Sequence, residues 1–165
     1  MSARAPVAAA SRSRWRPLPR VACWEFIALG TSPADADWPL QPGRVLRAAD
    51  GRAALLHFAP GRWLVPDPDG LLRARLEASR AAGAGVLVDV SGKWQEVALA
   101  PGVAGAVLAS GIEVESLLRG REAAAVTLFD CPTILARAGT GFELWVAASY
   151  LHSFTGVIDA LRLRD

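Results

Sequence analysis

His57 and His152 are the only two histidines of the chain, and Cys23 and Cys131 its only two cysteines. Each stands alone, without the CxxC, His/Cys or His/Glu spacing through which a metal site shows itself in sequence. The two thiols are therefore expected to be free and buried, as in a reducing compartment. Nucleophilic chemistry needs a base and an orienting group beside the nucleophile. Cys131 or Ser149 could act with His152, but no spacing in the chain brings them together. Glu113 and Glu115 would be candidates for paired acid and base work, yet residues two apart point in different directions on a helix. They read as capping or solvated positions of a connector. A phosphate cradle requires closely spaced glycines between a strand and the helix that follows. Gly83-Ala84-Gly85 precedes a strand, and Pro101-Gly102 with Gly105 has neither a third glycine nor a Walker lysine. Asp89 is the most conspicuous acid, because a carboxylate inside an apolar strand is costly unless it is hydrogen-bonded or paired. It is expected to hold the backbone amides of the Ser91-Gly92 turn, a structural role. Trp63, Trp94 and Trp145 read as core or interface, and six tryptophans in 165 residues hint at a partner surface. No catalytic, cofactor-binding or metal-ligating position is assigned to this chain.

The elements that position these residues follow from pattern. Residues 21–29 form an apolar, β-branched and aromatic run expected to be the first strand. A turn-rich connection with Pro33, Pro39 and Pro42 follows to residue 43. Two short strands at 53–58 and 62–65 flank Ala59-Pro60-Gly61. Asp69 is placed to cap a helix to about residue 82, with Leu72, Leu76 and Ser79 on one face. Residues 86–90 and 94–100 read as strands in or beside one sheet, with Gln95, Val97 and Leu99 alternating with Glu96 and Ala98. A helix at 103–110 carries Ala104, Gly105 and Ala106, which would let it approach a sheet closely. After a short connector at 112–118, strands are expected at 123–129, 133–138 and 142–147. Ser149 is placed to cap the last helix, whose Phe154, Val157, Ile158 and Leu161 form one core-facing stripe. The order strand, Gly-containing turn, Trp-bearing strand, helix occurs at 53–76 and again at 133–161. Such a repeat implies an α+β fold of two ferredoxin-like halves, about 21–85 and 86–165, each an antiparallel sheet with helices packed on one face.

Composition bounds the rest. With 52% hydrophobic and 21% charged residues, the chain reads as one compact domain large enough to bury a core without a metal or disulfide staple. No run reaches the length of roughly 20 apolar residues that a membrane helix needs. Residues 1–20 carry five arginines and no acid, lack the apolar stretch of a secretory signal, and read as a disordered cytoplasmic tail. Without that tail, thirteen basic side chains stand against sixteen acidic ones. The high isoelectric point therefore belongs to the tail, and no basic face for nucleic acid is expected.

Several pieces in order carry a family likeness: FAPGRWLV at 58–65, VDVS at 88–91, VALAPG at 97–102, VLASG at 107–111, AVTL at 125–128, and GFELWV at 141–146 with Ser149-Tyr150. Over about residues 21–162 the chain resembles the gamma subunit of heterotetrameric sarcosine oxidase. The resemblance implies a fold like the folate-binding domain of aminomethyltransferases. It also implies a cytoplasmic complex of four different chains that oxidatively demethylates sarcosine, or a related N-methyl amino acid, and passes the one-carbon unit to tetrahydrofolate. FAD, FMN, NAD, zinc and tetrahydrofolate would sit on partner subunits, and this chain would be a non-catalytic accessory packed mainly on the large alpha subunit. Three departures from the family patterns stand out. The hairpin at 129–133 keeps only Asp130 of the acids and glycine pair found in the transferases. Gly92-Lys93-Trp94 replaces a polar, arginine-containing stretch, and Ala147-Ala148-Ser149 lacks an arginine. The alternative expectation is a free-standing folate-binding one-carbon protein, with the pterin in a pocket between the halves and Asp89 or Asp130 on its ring.

Overall fold

The computed structural model describes residues 14–30, 38, 41–49, 51, 53–111, 118–139 and 141–161. They form two five-stranded antiparallel sheets and three helices, an α+β architecture. The strands are β1 (Trp15–Pro17), β2 (Cys23–Ala28), β3 (Val45–Arg47), β4 (Ala54–Ala59), β5 (Arg62–Pro66), β6 (Gly85–Asp89), β7 (Trp94–Leu99), β8 (Ala123–Leu128), β9 (Cys131–Ala138) and β10 (Gly141–Ala147). The helices are α1 (Arg73–Ala81), α2 (Pro101–Gly111) and α3 (Leu151–Ala160). One sheet has the order β3-β4-β5-β2-β6, the other β1-β7-β10-β9-β8.

Both sheets contain the ferredoxin-like arrangement. In the first, β4-β5-β2-β6 lie side by side, and α1 carries the chain from β5 past β2 to β6, with β3 added outside β4. In the second, β9-β10-β7 repeat that order and β8 is the added strand. The place beside β7 that corresponds to β6 is filled by β1, from the other end of the sequence.

Strand alternation sends each sheet's side chains to two interfaces. Phe26, Trp38, Leu55, Trp63, Val65 and Leu76 fill the space between the first sheet and α1. Cys23, Leu56, Phe58 and Leu64 meet Ile134, Ala136, Trp145 and Ala147 between the two sheets. Val97, Leu135, Leu144 and Val146 pack with Val107 of α2 and Phe154 and Ile158 of α3. The layers are therefore helix, sheet, sheet, helices. The sheets are joined where the Gly43 carbonyl accepts from the backbone N–H of Glu122 and of Ala123, at 2.5 and 3.0 Å.

Several expectations are corrected. Residues 15–17 of the expected tail form β1, paired with β7 in the register Trp15↔Leu99. The segment is tied down by the Arg14 guanidinium, which donates to the carbonyl of Leu161 at 2.6 Å, and by the Trp15 indole on Asp159 at 3.1 Å, both at the end of α3. Residues 1–13 lie outside the described residues. The halves divide near residue 90 rather than 85, because β6 pairs with β2, and Ser91-Gly92 carries the chain to β7 in the other sheet. α1 is held by Asp67 rather than Asp69, its Oδ2 accepting from the N–H groups of Leu72 and Arg73, each at 2.9 Å. Ser149 makes no cap. It is exposed within a 3-10 turn (Ala148–Tyr150), and α3 starts without a side-chain cap. Close approach of α2 falls at Gly111, where a Cβ would collide with Leu128, while Gly105 faces open space. Glu113 and Glu115 lie outside the described residues.

Candidate functional site

β7 and β10 place Glu96 directly opposite Trp145, and Glu143, two residues earlier on β10, lies diagonal to Glu96 on the same face. That face is turned toward the other sheet, from which β3 brings Arg47. The Arg47 guanidinium donates to Glu143 Oε1 at 2.8 Å and to the Arg137 carbonyl at 2.8 Å, so it bridges β3 to β10 and β9. Arg47, Glu96, Glu143 and Trp145 border a cleft of about 230 Å³ between the sheets, whose other walls include Val21, Gly51, Ala54 and Pro66. A larger hollow of about 460 Å³ lies at Val45, Arg47, Glu122, Arg137 and Gly139. There the Glu122 carboxylate accepts from the Val45 N–H at 2.9 Å.

Electrostatically the cleft is uneven. Loss of water between the sheets pushes the Glu96 carboxyl up to about 7, and the facing Glu143 adds to this, while Arg47 opposes it. Because Arg47 is already committed to Glu143, Glu96 gains little from it. The cleft therefore holds a carboxyl that exchanges its proton near neutrality, beside an ion pair and a tryptophan. Such a set can bind or release a proton. No nucleophile lines it.

The sequence-derived candidates do not meet in this cleft, although the Cys131 thiol lies 3.9 Å from the Tyr150 carbonyl, in the segment that carries Ser149 and His152. Asp89 is exposed rather than buried in its strand, and its Oδ1 accepts from the Ser91 N–H at 2.9 Å and the Ser91 hydroxyl at 2.7 Å. These two bonds hold its carboxyl below the usual range, and its role is the turn, as expected. Asp130 is exposed at the β8–β9 hairpin tip. Neither lines the cleft. Cys131 is buried with its thiol toward the Phe129 carbonyl at 3.2 Å, whereas Ser149 and His152 are exposed. Burial pushes Cys131 up and Cys23 to about 12, so both stay protonated thiols at neutral pH. His57 is buried and stacked on its cross-strand neighbour Trp63, with ring centroids 4.2 Å apart. Among the described residues no group of three or more His, Cys, Asp or Glu could hold a metal ion.

Glu96 and Glu143 were missed because alternation alone reads Glu96 as facing solvent. The available signal was its surroundings: the i−2 and i+2 neighbours of Glu96 are Trp94 and Ala98, an apolar face around one acid.

Two ferredoxin-like sheets packed face to face, with helices outside both, define the structural class. No protein-family model and no curated protein sequence matches this chain. A chain of the heterotetrameric sarcosine oxidase from Corynebacterium sp. U-96, solved in complex with pyrrole 2-carboxylate, has the same fold, with a TM-score of 0.71. The match covers 93% of this chain and 88% of that one at 18% sequence identity, a likeness of fold. No helix among the described residues is long and apolar enough to cross a membrane.

Proposed function

We propose that this chain is a non-catalytic accessory subunit, of the gamma type, in a heterotetrameric complex that oxidatively demethylates sarcosine or a related N-methyl amino acid and delivers the one-carbon unit to tetrahydrofolate. The observation that carries this reading is the shared fold across nearly the full length of both chains, which makes the matched chain one of similar size. The ordered motifs from 58 to 150 support it independently of the fold. In this reading FAD, FMN, NAD, zinc and tetrahydrofolate are held by the partner subunits, the large alpha subunit is the main contact, and the complex is cytoplasmic.

The test is co-expression of the full chain with the proteins encoded beside its gene, followed by size-exclusion chromatography with absorbance read at flavin wavelengths. A yellow peak of large mass containing this chain is expected. A lone colourless chain beside its candidate partners would overturn the reading. The alternative, a free-standing folate-binding one-carbon protein, would use the cleft at Glu96 and Trp145 or the larger hollow at Arg47 and Arg137. Heat released on titrating the isolated chain with tetrahydrofolate would favour it.

A further inference from the structure

The two sheets have four edges. β1 has three residues and carries Arg16 and Pro17, and β3 has three residues with Arg47 committed to Glu143. β8 (Ala123–Leu128) is longer and meets the Gly43 carbonyl only at its start, but its exposed positions are the small Ala125 and the polar Thr127, with no charge along the strand. β6 is the edge that combines an open backbone with large exposed apolar side chains and neighbouring cations. Its five residues, Gly-Val-Leu-Val-Asp, contain no lysine, no proline and no bulge. The Val90 N–H donates to the Cys23 carbonyl at 2.9 Å and the Leu29 N–H to the Ala84 carbonyl at 3.1 Å. The even-numbered positions of β6 thus bond to β2, which leaves the N–H and C=O groups of Leu87 and Asp89 directed outward. Among the described residues nothing pairs with them. Natural sheets usually protect such an edge, and an unprotected one is a template for another strand.

The side chains along this edge point the same way. Val86 and Val88 are 43% and 40% exposed, and Leu29, which continues their face beyond β2, is 70% exposed. On the same face, directly opposite Val88, lies the buried carboxylate of Glu25. It is held by Arg62, with Nε at 2.8 Å, and by Lys93 at 3.2 Å, two cations that are 44% and 49% exposed. Two positive charges on one negative leave this face with one uncompensated positive charge beside an apolar strip.

We propose that β6 is a docking edge for an extended segment of another subunit, apolar at alternate positions and carrying a carboxylate that meets Arg62 and Lys93. This rests on the accessory-subunit reading and names the surface that reading leaves open. A second copy of the chain is disfavoured by charge. Antiparallel pairing of β6 with itself keeps the same face on the same side, so it would bring two uncompensated cationic sites onto one surface. A strand from a partner adds main-chain hydrogen bonds for affinity and alternate side-chain contacts for selectivity. A five-residue strand buries only part of the roughly 800 Å² per side that a stable interface needs. Leu29, Ile27 and the Arg62 and Lys93 stems therefore belong to the surface as well.

The test uses amide exchange of the isotope-labelled full chain, alone and after assembly with the neighbouring gene products. The amides of Leu87 and Asp89 are expected to exchange fast in the free chain and about a hundredfold more slowly in the complex, while Val86 and Val88 are protected in both. The V86D/V88D double variant, altered only at exposed positions, should weaken assembly by about a hundredfold without altering the circular dichroism spectrum. L46D on β3 should have no effect. A complex that forms with Leu87 and Asp89 still exchanging freely overturns the docking edge and leaves the accessory role intact. Failure of any complex to form overturns both, and protection of these amides in a homodimer shows the occupant to be a second copy, against the proposal.

Discussion

Replacing Glu96 by glutamine should stabilise the protein at and above neutral pH and leave it unchanged in mild acid. Burial between the sheets, reinforced by Glu143, lifts Glu96 from 4.5 to about 7. Between these values the folded chain retains a proton that the unfolded chain has released. Stability therefore falls as pH rises through that window. Below it both states are protonated and the charge costs nothing, whereas above it the whole penalty is present. At about 1.36 kcal/mol per pKa unit the ceiling is near 3 kcal/mol. Water and salt at the cleft mouth reduce this to roughly 1–2 kcal/mol. For a chain of this length that corresponds to a rise in Tm of about 2–8 °C for E96Q at about pH 8, shrinking toward zero near pH 4. Urea unfolding of both proteins across this range gives the stability difference, and NMR titration of the labelled Glu96 carboxyl gives its midpoint directly. A stability difference that stays flat with pH, or a midpoint at the ordinary glutamate value, would refute the claim that the first sheet, packed over β7, isolates this carboxyl from water.

Two further substitutions test local features of the fold. At the β8–β9 hairpin Phe129 and Asp130 have φ of 52° and 60°, the left-handed turn geometry that favours Asn-Gly. D130G should stabilise the chain by about 0.5–1 kcal/mol despite the entropy that glycine adds to the unfolded state, read as a higher urea midpoint at unchanged slope. A lower midpoint would mean that the Asp130 carboxylate makes a contact of its own. At the start of α1, D67A removes the acceptor for the N–H groups of Leu72 and Arg73 and should cost about 1–2 kcal/mol. An unchanged midpoint would show that these amides find water at no cost.

Features governed by local sequence were legible. The 2- and 3.6-residue periodicities of β4, β5, β9, β10, α1 and α3 place Leu76, Phe154 and Ile158 in the core as expected, and the recurrence of strand, turn, strand, helix exposed the two halves. Features governed by distant partners were not legible. β1 is three residues of Trp-Arg-Pro in an arginine-rich stretch without any periodicity. It is a strand only because β7 offers an edge and α3 offers its last carbonyls to Arg14. β7 alone marks Glu96 as one acid between Trp94 and Ala98 but not as a cleft residue, since the face it occupies is buried by a sheet assembled from residues 23–89. Asp67 displaced Asp69 for a similar reason: its capping bonds span five and six residues, beyond the local reach of the usual N-cap pattern.

β1 and β6 hold equivalent places in the two sheets, each beside the first strand of its half, yet the chain treats them in opposite ways. β1 is short, ends in proline and is fixed from behind by Arg14 on the carbonyls that end α3. Its outward positions are Trp15 and Pro17, and the proline removes a donor from that edge. β6 is longer and apolar on the face away from α1, and two cations held by the buried Glu25 stand beside it. Gly85 opens it because a side chain there would strike Phe26 and the Ile27 carbonyl, which sets β6 tightly against β2 and aligns its outer edge. Pseudosymmetry explains how the two sheets pack into four layers. In the departure from it, a short strand with a proline takes the place that in the other sheet belongs to an apolar edge beside two cations, and on the proposal above that edge is where a partner strand adds.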